Sequence, residues 1–229
     1  MMSQRVLLVV TNVGHYDAGP SHPTGLWLSE LTHAYDLFAA RGFEQTIVSP
    51  AGGACPLEPR SLTFPNYDRS ARAWHADPAR MALLDHTASP DQIDSAEYDA
   101  IYFTGGHAVM FDFPGSDGLQ RITREIFEAG GMVGAVCHGY CGLLDTKLSD
   151  GSYLVAGRRI TGFSWREEVL AGVAKLVPYN VEARMKKRGA HYSKALLPFV
   201  SNVVVDGRLV TGQNPGSAKA TAAKVAALL

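Results

Sequence analysis

Apolar residues along this chain fall into short continuous runs separated by stretches of helical spacing. Residues 6–11, 100–104 and 132–136 are such runs, and 45–49 reads as a further strand; each is too short for a helix and each is followed by Gly, Pro, Asn or Cys-His. That pattern predicts strands buried on both faces. Between them Leu31, Ala34, Tyr35 and Phe38 recur at i, i+3, i+4 and i+7, one face of a helix that closes at Gly42. Leu119, Ile122, Ile126 and Phe127 predict a second amphipathic helix, ended by Gly130-Gly131. Residues 77–85 predict a short helix with Pro78 in its first turn. Residues 50–65 read as a long loop, residues 140–144, 165–171 and 181–188 as helical. Residues 203–206 and 209–211 around Asp206-Gly207 predict a hairpin, and Ser217 is placed to cap a last helix to Leu229. Strands alternating with helices imply an α/β fold with a mostly parallel sheet, whose site lies beyond the carboxyl ends of the strands. With no linker, repeat or low-complexity stretch, residues 1–229 read as one domain.

Three predicted strand ends carry unusual chemistry and are expected to converge: Asn12 onward, Gly105-Gly106-His107, and Cys137-His138. The last is the most informative. Small-x-Cys-x-Gly between a strand and a helix is the cysteine form of a nucleophile elbow, a sharp turn that stands the side chain clear of the backbone. The helix start after it offers unpaired N–H groups, which predicts a Cys137 held toward thiolate.

Composition narrows the classes. A net charge of -1 with no basic block argues against nucleic acid or a polybasic membrane anchor as partner. No apolar run approaches the roughly 18 residues of a membrane span. Cys55, Cys137 and Cys141 are too few and odd for a disulfide framework, so a reducing, cytoplasmic setting is expected. His15, Asp17 and His22 are of metal-ligand type but fit no zinc spacing, and no dinucleotide fingerprint follows Gly105-Gly106, so neither metal nor cofactor is expected.

Ala-Val-Cys-His-Gly at 135–139, Thr-Gly-Gly-His at 104–107 with Phe-Asp-Phe-Pro at 111–114, and Thr-Gly-Gln-Asn-Pro-Gly-Ser at 211–217 together resemble the DJ-1/ThiJ/PfpI superfamily. Residues 25–33, 49–53 and 160–163 resemble its Hsp31-like branch. The resemblance implies a flavodoxin-like three-layer sandwich and a homodimer. It implies a site in which Cys137 is the nucleophile, His138 the base and Glu30 a helix glutamate against the cysteine. Glu168 has the spacing of the triad acid, with Glu167 the neighbour that could replace it. Gly106 and His138 would supply N–H groups to an oxyanion. The activity implied is glyoxalase III, a lyase converting methylglyoxal or a similar 2-oxoaldehyde to D-lactate without glutathione. Related readings are a cysteine peptidase or amidase, a holdase chaperone and a protein deglycase.

The chemistry suits these residues. A thiolate adds to the aldehyde, and a proton then moves from C1 toward C2 under a base such as His138, oriented by a carboxylate behind it. A buried carboxyl beside the sulfur is pushed toward its protonated form, which fits Glu30 for acid–base work. His107 reads as a turn residue after its strand, Trp27 and Trp165 as pocket wall or core, and Cys141 as core. Tyr140 and Cys141 stand where the resemblance leads one to expect Pro and a small residue, so Tyr140 is expected to narrow the pocket or donate into it.

Overall fold

The computed structural model describes residues 3–229. Its centre is a six-stranded sheet built from β1 (Arg5–Val9), β2 (Glu44–Val48), β3 (Ala100–Phe103), β4 (Met132–Val136), β7 (Val203–Asp206) and β8 (Leu209–Gly212). The order is β2-β1-β3-β4-β8-β7, and every pairing is parallel except the β7–β8 hairpin at the edge. A separate small parallel pair joins β5 (Arg159–Ile160) to β6 (His191–Tyr192).

Strand side chains alternate between two cores because successive Cβ atoms point to opposite faces. Leu7, Val9, Ile101, Phe103, Val133, Ala135 and Leu209 face one way, against α4 (Val109–Asp112), α5 (Asp117–Glu128) and α7 (Val181–Lys187). Val6, Leu8, Ala100, Tyr102, Met132, Val136 and Val210 face the other. There they meet α1 (Leu28–Ala40), α2 (Arg69–His75), α3 (Pro78–Asp85) and α8 (Ala218–Leu228). With both faces covered, β3, β4 and β8 are wholly buried, which is why β3 and β4 read as unbroken apolar runs. This is the flavodoxin-like three-layer arrangement, and its order reverses between β1 and β3, where such folds open a crevice.

Local signals hold in most places. Asp77 caps α3 by accepting from Ala79 and Arg80 N–H groups, with Pro78 first in the helix. The helix α2 carries no apolar periodicity; Asp68 caps it, and it is anchored by burying Trp74 edge-on against Tyr35 of α1. Ser217 precedes α8 but does not cap it with its side chain. Its hydroxyl is turned back to donate to Asn214 Oδ1 and accept from Asn202 N–H, because the 3-10 turn before α8 competes for it. The segment after β4 is a 3-10 helix, Cys137–Leu143, rather than the start of an α-helix. Among the described residues no helix is long and apolar enough to cross a membrane.

The crevice depends on how closely the ends of β3 and β4 approach. A Cβ on Gly139 would meet the carbonyl oxygen of Phe103 and lie 2.7 Å from that of Thr104, both fixed by the sheet. Gly139→Ala is therefore expected to destabilise the protein by about 2–3 kcal/mol in urea unfolding, since backbone cannot step aside as a side chain could. A loss below about 0.5 kcal/mol would mean that the strand ends yield.

Candidate active site

The thiol of Cys137 stands at the carboxyl end of β4. The residue has φ 54°, a left-handed conformation that a non-glycine residue adopts only when its surroundings impose it. Phe163 N–H donates to the Cys137 carbonyl at 3.3 Å, and Gly139 lets the chain turn under β3. The side chain is nearly fully buried, with Sγ 3.4 Å from His138 Nδ1.

Behind His138, its Nε2 lies 2.7 Å from Glu168 Oε2. Glu168 sits in the first turn of α6 (Trp165–Leu170), beside Glu167. The two glutamates are both buried but point to different neighbours. Glu167 closes a capping box with Ser164 and also accepts from Gln213, Asn214 and the Phe199 N–H. It ties α6 to the end of β8, leaving Glu168 to face the imidazoles.

Glu168 meets two of them. His107 Nε2 is 2.8 Å from Glu168 Oε1, though off the line of a well-formed hydrogen bond. On its far side His107 Nδ1 lies 2.9 Å from Arg60 Nη2. A guanidinium only donates, so Nδ1 must accept and the His107 proton sits on Nε2, toward Glu168. Arg60 is in turn held by buried Glu58 and by the Tyr16 hydroxyl. Burial would raise the Glu168 pKa, but the His138 charge and the two imidazole contacts outweigh it and hold the carboxyl well below the usual range. Burial, then repulsion from His138, lowers the His107 pKa to about 4, so this ring is neutral at pH 7. His107, read from sequence as a turn residue, is thus part of the site. Its strand-end position was the available signal; Arg60, in a Pro-bearing loop, gave none.

Glu30 approaches from the opposite side, in the first turn of α1. Its Oε2 accepts from Gly105 N–H at 2.8 Å, while Oε1 is buried without a partner of ordinary hydrogen-bond geometry. Burial raises its pKa to about 8, against the opposing contacts with the Cys137 thiol and Gly105 N–H. Burial and then the Glu30 charge also push the Cys137 thiol well up, despite the His138 backbone N–H. The expectation of a resting thiolate is therefore corrected. The 3-10 segment supplies only a short run of aligned dipoles, and burial beside a carboxyl outweighs it. The resting pair is a thiol and a carboxylic acid, with His138 positioned to take the thiol proton.

These groups open on a cavity of about 310 Å³ lined by Trp27, Gly106, Phe163, Phe199 and Asn214 among others. Gly106 has φ 115°, and a Cβ there would strike Gly25 O and approach Trp27 N to 2.9 Å, so glycine alone fits. The strand ends after β3 and β4 converge here, but Asn12 does not. Its amide bridges Ala51, Gly52 and Ala54, and the chain beyond β1 reaches the cavity through Trp27 instead. Trp165 is half-buried and does not line the cavity. Tyr140 does not narrow it either. Its ring turns into the core against Gly162, and its hydroxyl donates to Phe163 O at 2.9 Å, since the 3-10 turn carries it away from the thiol. Cys141 is wholly buried with its thiol pKa raised by burial.

His107, His138 and Glu168 offer metal-type donor atoms within 4.8 Å of one another. His138 Nε2 is already engaged by Glu168, His107 Nε2 lies close to the other carboxyl oxygen, and Arg60 places a positive charge directly behind His107. The chemistry of the set fits shared protons better than a cation. His15, Asp17 and His22 belong to no such group among the described residues.

Residues 24–228 match the family model described as DJ-1/PfpI family. The chain is 33% identical to a glutathione-independent glyoxalase of Saccharomyces cerevisiae, HSP31, over 98% of this chain and 97% of that one. Two solved structures are similar. Rapid Encystment Protein 24 KDa of Francisella tularensis is 34% identical, with a TM-score of 0.91 and 98% of both chains covered. Glyoxalase III from Candida albicans is 29% identical, with a TM-score of 0.88, covering 99% of this chain and 97% of that one.

Two outcomes are expected. The Glu30 pKa rises from 4.5 to about 8 on folding, so its stabilising contribution is full below pH 4.5 and is lost as pH rises through about 8. Thermal unfolding should show Glu30→Gln gaining on the wild type across that window, by no more than about 5 kcal/mol. A pH-independent difference would contradict a buried, neutral Glu30. Tyr140→Phe should cost about 1–2 kcal/mol in urea unfolding by orphaning the Phe163 carbonyl, with turnover unchanged; a changed KM would return Tyr140 to the pocket.

Proposed function

The chain belongs to the DJ-1/PfpI family, and we propose that it is a glutathione-independent glyoxalase, a cofactor-free lyase converting methylglyoxal or a similar small 2-oxoaldehyde to D-lactate. The observation that carries this reading is a single thiol between two proton-handling groups. Neutral Glu30 lies on one side and the His138–Glu168 pair on the other. A thiol protease or amidase needs the second group and oxyanion donors. A protonated carboxyl buried against the sulfur is surplus to hydrolysis but required for moving a proton between adjacent carbons.

In this scheme Sγ attacks C1 of the aldehyde while His138 Nδ1 takes the thiol proton and Glu30 gives its proton to the C1 oxygen. The product is a hemithioacetal. Gly106 and His138 N–H groups face the C1 oxygen as charge develops there. Glu30, now a carboxylate, removes the C1 hydrogen; the electron pair passes to the C2 oxygen, which His138 protonates, giving an enediol. Glu30 returns its proton to C2 as His138 takes the C1 hydroxyl proton, leaving a thioester of lactate. Water then adds with the Glu30 carboxylate as base, the C–S bond breaks, and the protonated His138 returns its proton to the leaving sulfur, so that thiol, neutral imidazole and carboxylic acid are all restored. The sum is methylglyoxal plus water to lactate. Delivery to C2 from one fixed carboxyl sets a single configuration. Glu168 fixes the His138 ring and stabilises its charged form, and His107 with Arg60 holds Glu168 in place.

A cytoplasmic homodimer built from one domain per chain is part of the same reading. It rests on the family resemblance and on three free cysteines, which suit a reducing compartment.

Purified protein given methylglyoxal without glutathione should release D-lactate, measured by a stereospecific lactate assay. Cys137→Ala and Glu30→Gln should abolish release, and Glu168→Gln should lower kcat by about 10³-fold or more. Undiminished lactate from Cys137→Ala would refute the covalent scheme.

A further inference from the structure

The indole nitrogen of Trp27 is buried and has no hydrogen-bond partner. An indole N–H can only donate, and a buried tryptophan usually finds an acceptor for it. Trp27 is not a loosely held wall. Its backbone N–H donates to Gly105 O at 3.0 Å, its carbonyl accepts from Glu30 N–H at 3.0 Å, and it is the N-cap residue of α1. One turn later on the same helix, Glu30 Oε1 is another buried, unpartnered polar atom, and in the same site His107 Nε2 and Glu168 Oε1 also lack a well-formed hydrogen bond. Trp27 lines the same cavity as Cys137 and His138.

The side-chain amides at the cavity are committed, and so are two of the three guanidinium nitrogens of Arg60. Asn214 Nδ2 serves Glu167 Oε1 and Val200 O, and Asn66 Nδ2 serves Arg60 O. Arg60 directs Nε and Nη2 to Glu58, Tyr16 and His107. A 2-oxoaldehyde bound through C1 carries a second oxygen, on C2. When the C1 hydrogen leaves, the electron pair moves onto that oxygen. The backbone donors at the elbow face the C1 oxygen, whereas the C2 oxygen carries the charge until His138 protonates it, and a fixed donor there would stabilise that charge.

We propose that the Trp27 indole N–H is that donor: it receives the C2 oxygen of the substrate and stabilises the enediolate charge. The proposal rests on the glyoxalase reading. Trp27 and Glu30 then act as one unit on the first turn of α1, the carboxylate removing the C1 hydrogen while the indole holds the oxygen that gains its electrons. Donation to a charge absent from the ground state affects kcat more than KM.

The test is steady-state turnover of methylglyoxal and its C1-deuterated form by the full chain and by Trp27→Phe, which keeps a ring in place. The expected result is a kcat lower by about 10- to 100-fold, a KM changed far less, and a larger deuterium effect on kcat as C1–H cleavage becomes rate-limiting. Iodoacetamide labelling of Cys137 should proceed at the wild-type rate, showing that the elbow is intact. A kcat within about twofold of wild type overturns the proposal, and so does a lower kcat with an unchanged deuterium effect, which would mark a structural role. Should Trp27→Phe fail to fold, the wild-type protein decides. One of its three indole N–H resonances should move downfield on binding a hydroxamate mimic of the enediolate, and no movement overturns the proposal. Wild-type protein that makes no lactate overturns both this proposal and the glyoxalase reading, whereas active wild type with an indifferent Trp27→Phe overturns this one alone.

Discussion

The close approach of the chain after β3 to the turn after β4 is the constraint on which the site depends. A Cβ on Gly105 would lie 2.6 Å from Glu30 Oε2 and 3.0 Å from both Cys137 Cβ and His138 N. One Cβ would therefore disturb the helix acid, the nucleophile and the base together. The left-handed Cys137 backbone persists because glycines at 105, 106 and 139 let three backbones meet where side chains would hold them apart. The strain is local, and the surrounding sheet, buried on both faces, over-determines it.

Given that geometry, electrostatics assigns different tasks to two buried carboxyl groups. Glu30 has one backbone N–H and a thiol for company, so desolvation wins and it is a neutral acid. Glu168 is equally hidden but faces two imidazoles, so pairing wins and it stays ionised. Pushing two like groups apart in this way is how one site can hold an acid and a base at the same pH. The network does not stop at Glu168. Arg60, itself neutralised by Glu58, fixes the His107 proton on the side that Glu168 needs.

Much of the frame was legible in the chain. The buried parallel strands read as unbroken apolar runs because both faces are covered. The β7–β8 hairpin was announced by Asp206-Gly207, and α3 by Asp77-Pro78. The elbow was visible for the same kind of reason: a cysteine between small residues at a strand end reports a backbone demand, and such demands are written locally. The helix α2 was not visible, since its one large buried residue, Trp74, has meaning only against Tyr35.

The sequence by itself determined the alternation of strands and helices and the turn at Cys137, and its resemblance to the family named Glu30, His138 and Glu168 as candidates. Only the tertiary structure decided which way each side chain faces and in what charge state it rests. It turned Glu167 toward Gln213 and Asn214 and Glu168 toward His138, although the two are neighbours. It brought His107 and Arg60 to the site and sent Tyr140 into the core. It made Cys137 a resting thiol where the local pattern pointed to a thiolate. Backbone conformation is set by neighbours in the chain, whereas burial, pairing and therefore ionisation are set by neighbours in space, and those come from segments as much as a hundred residues away.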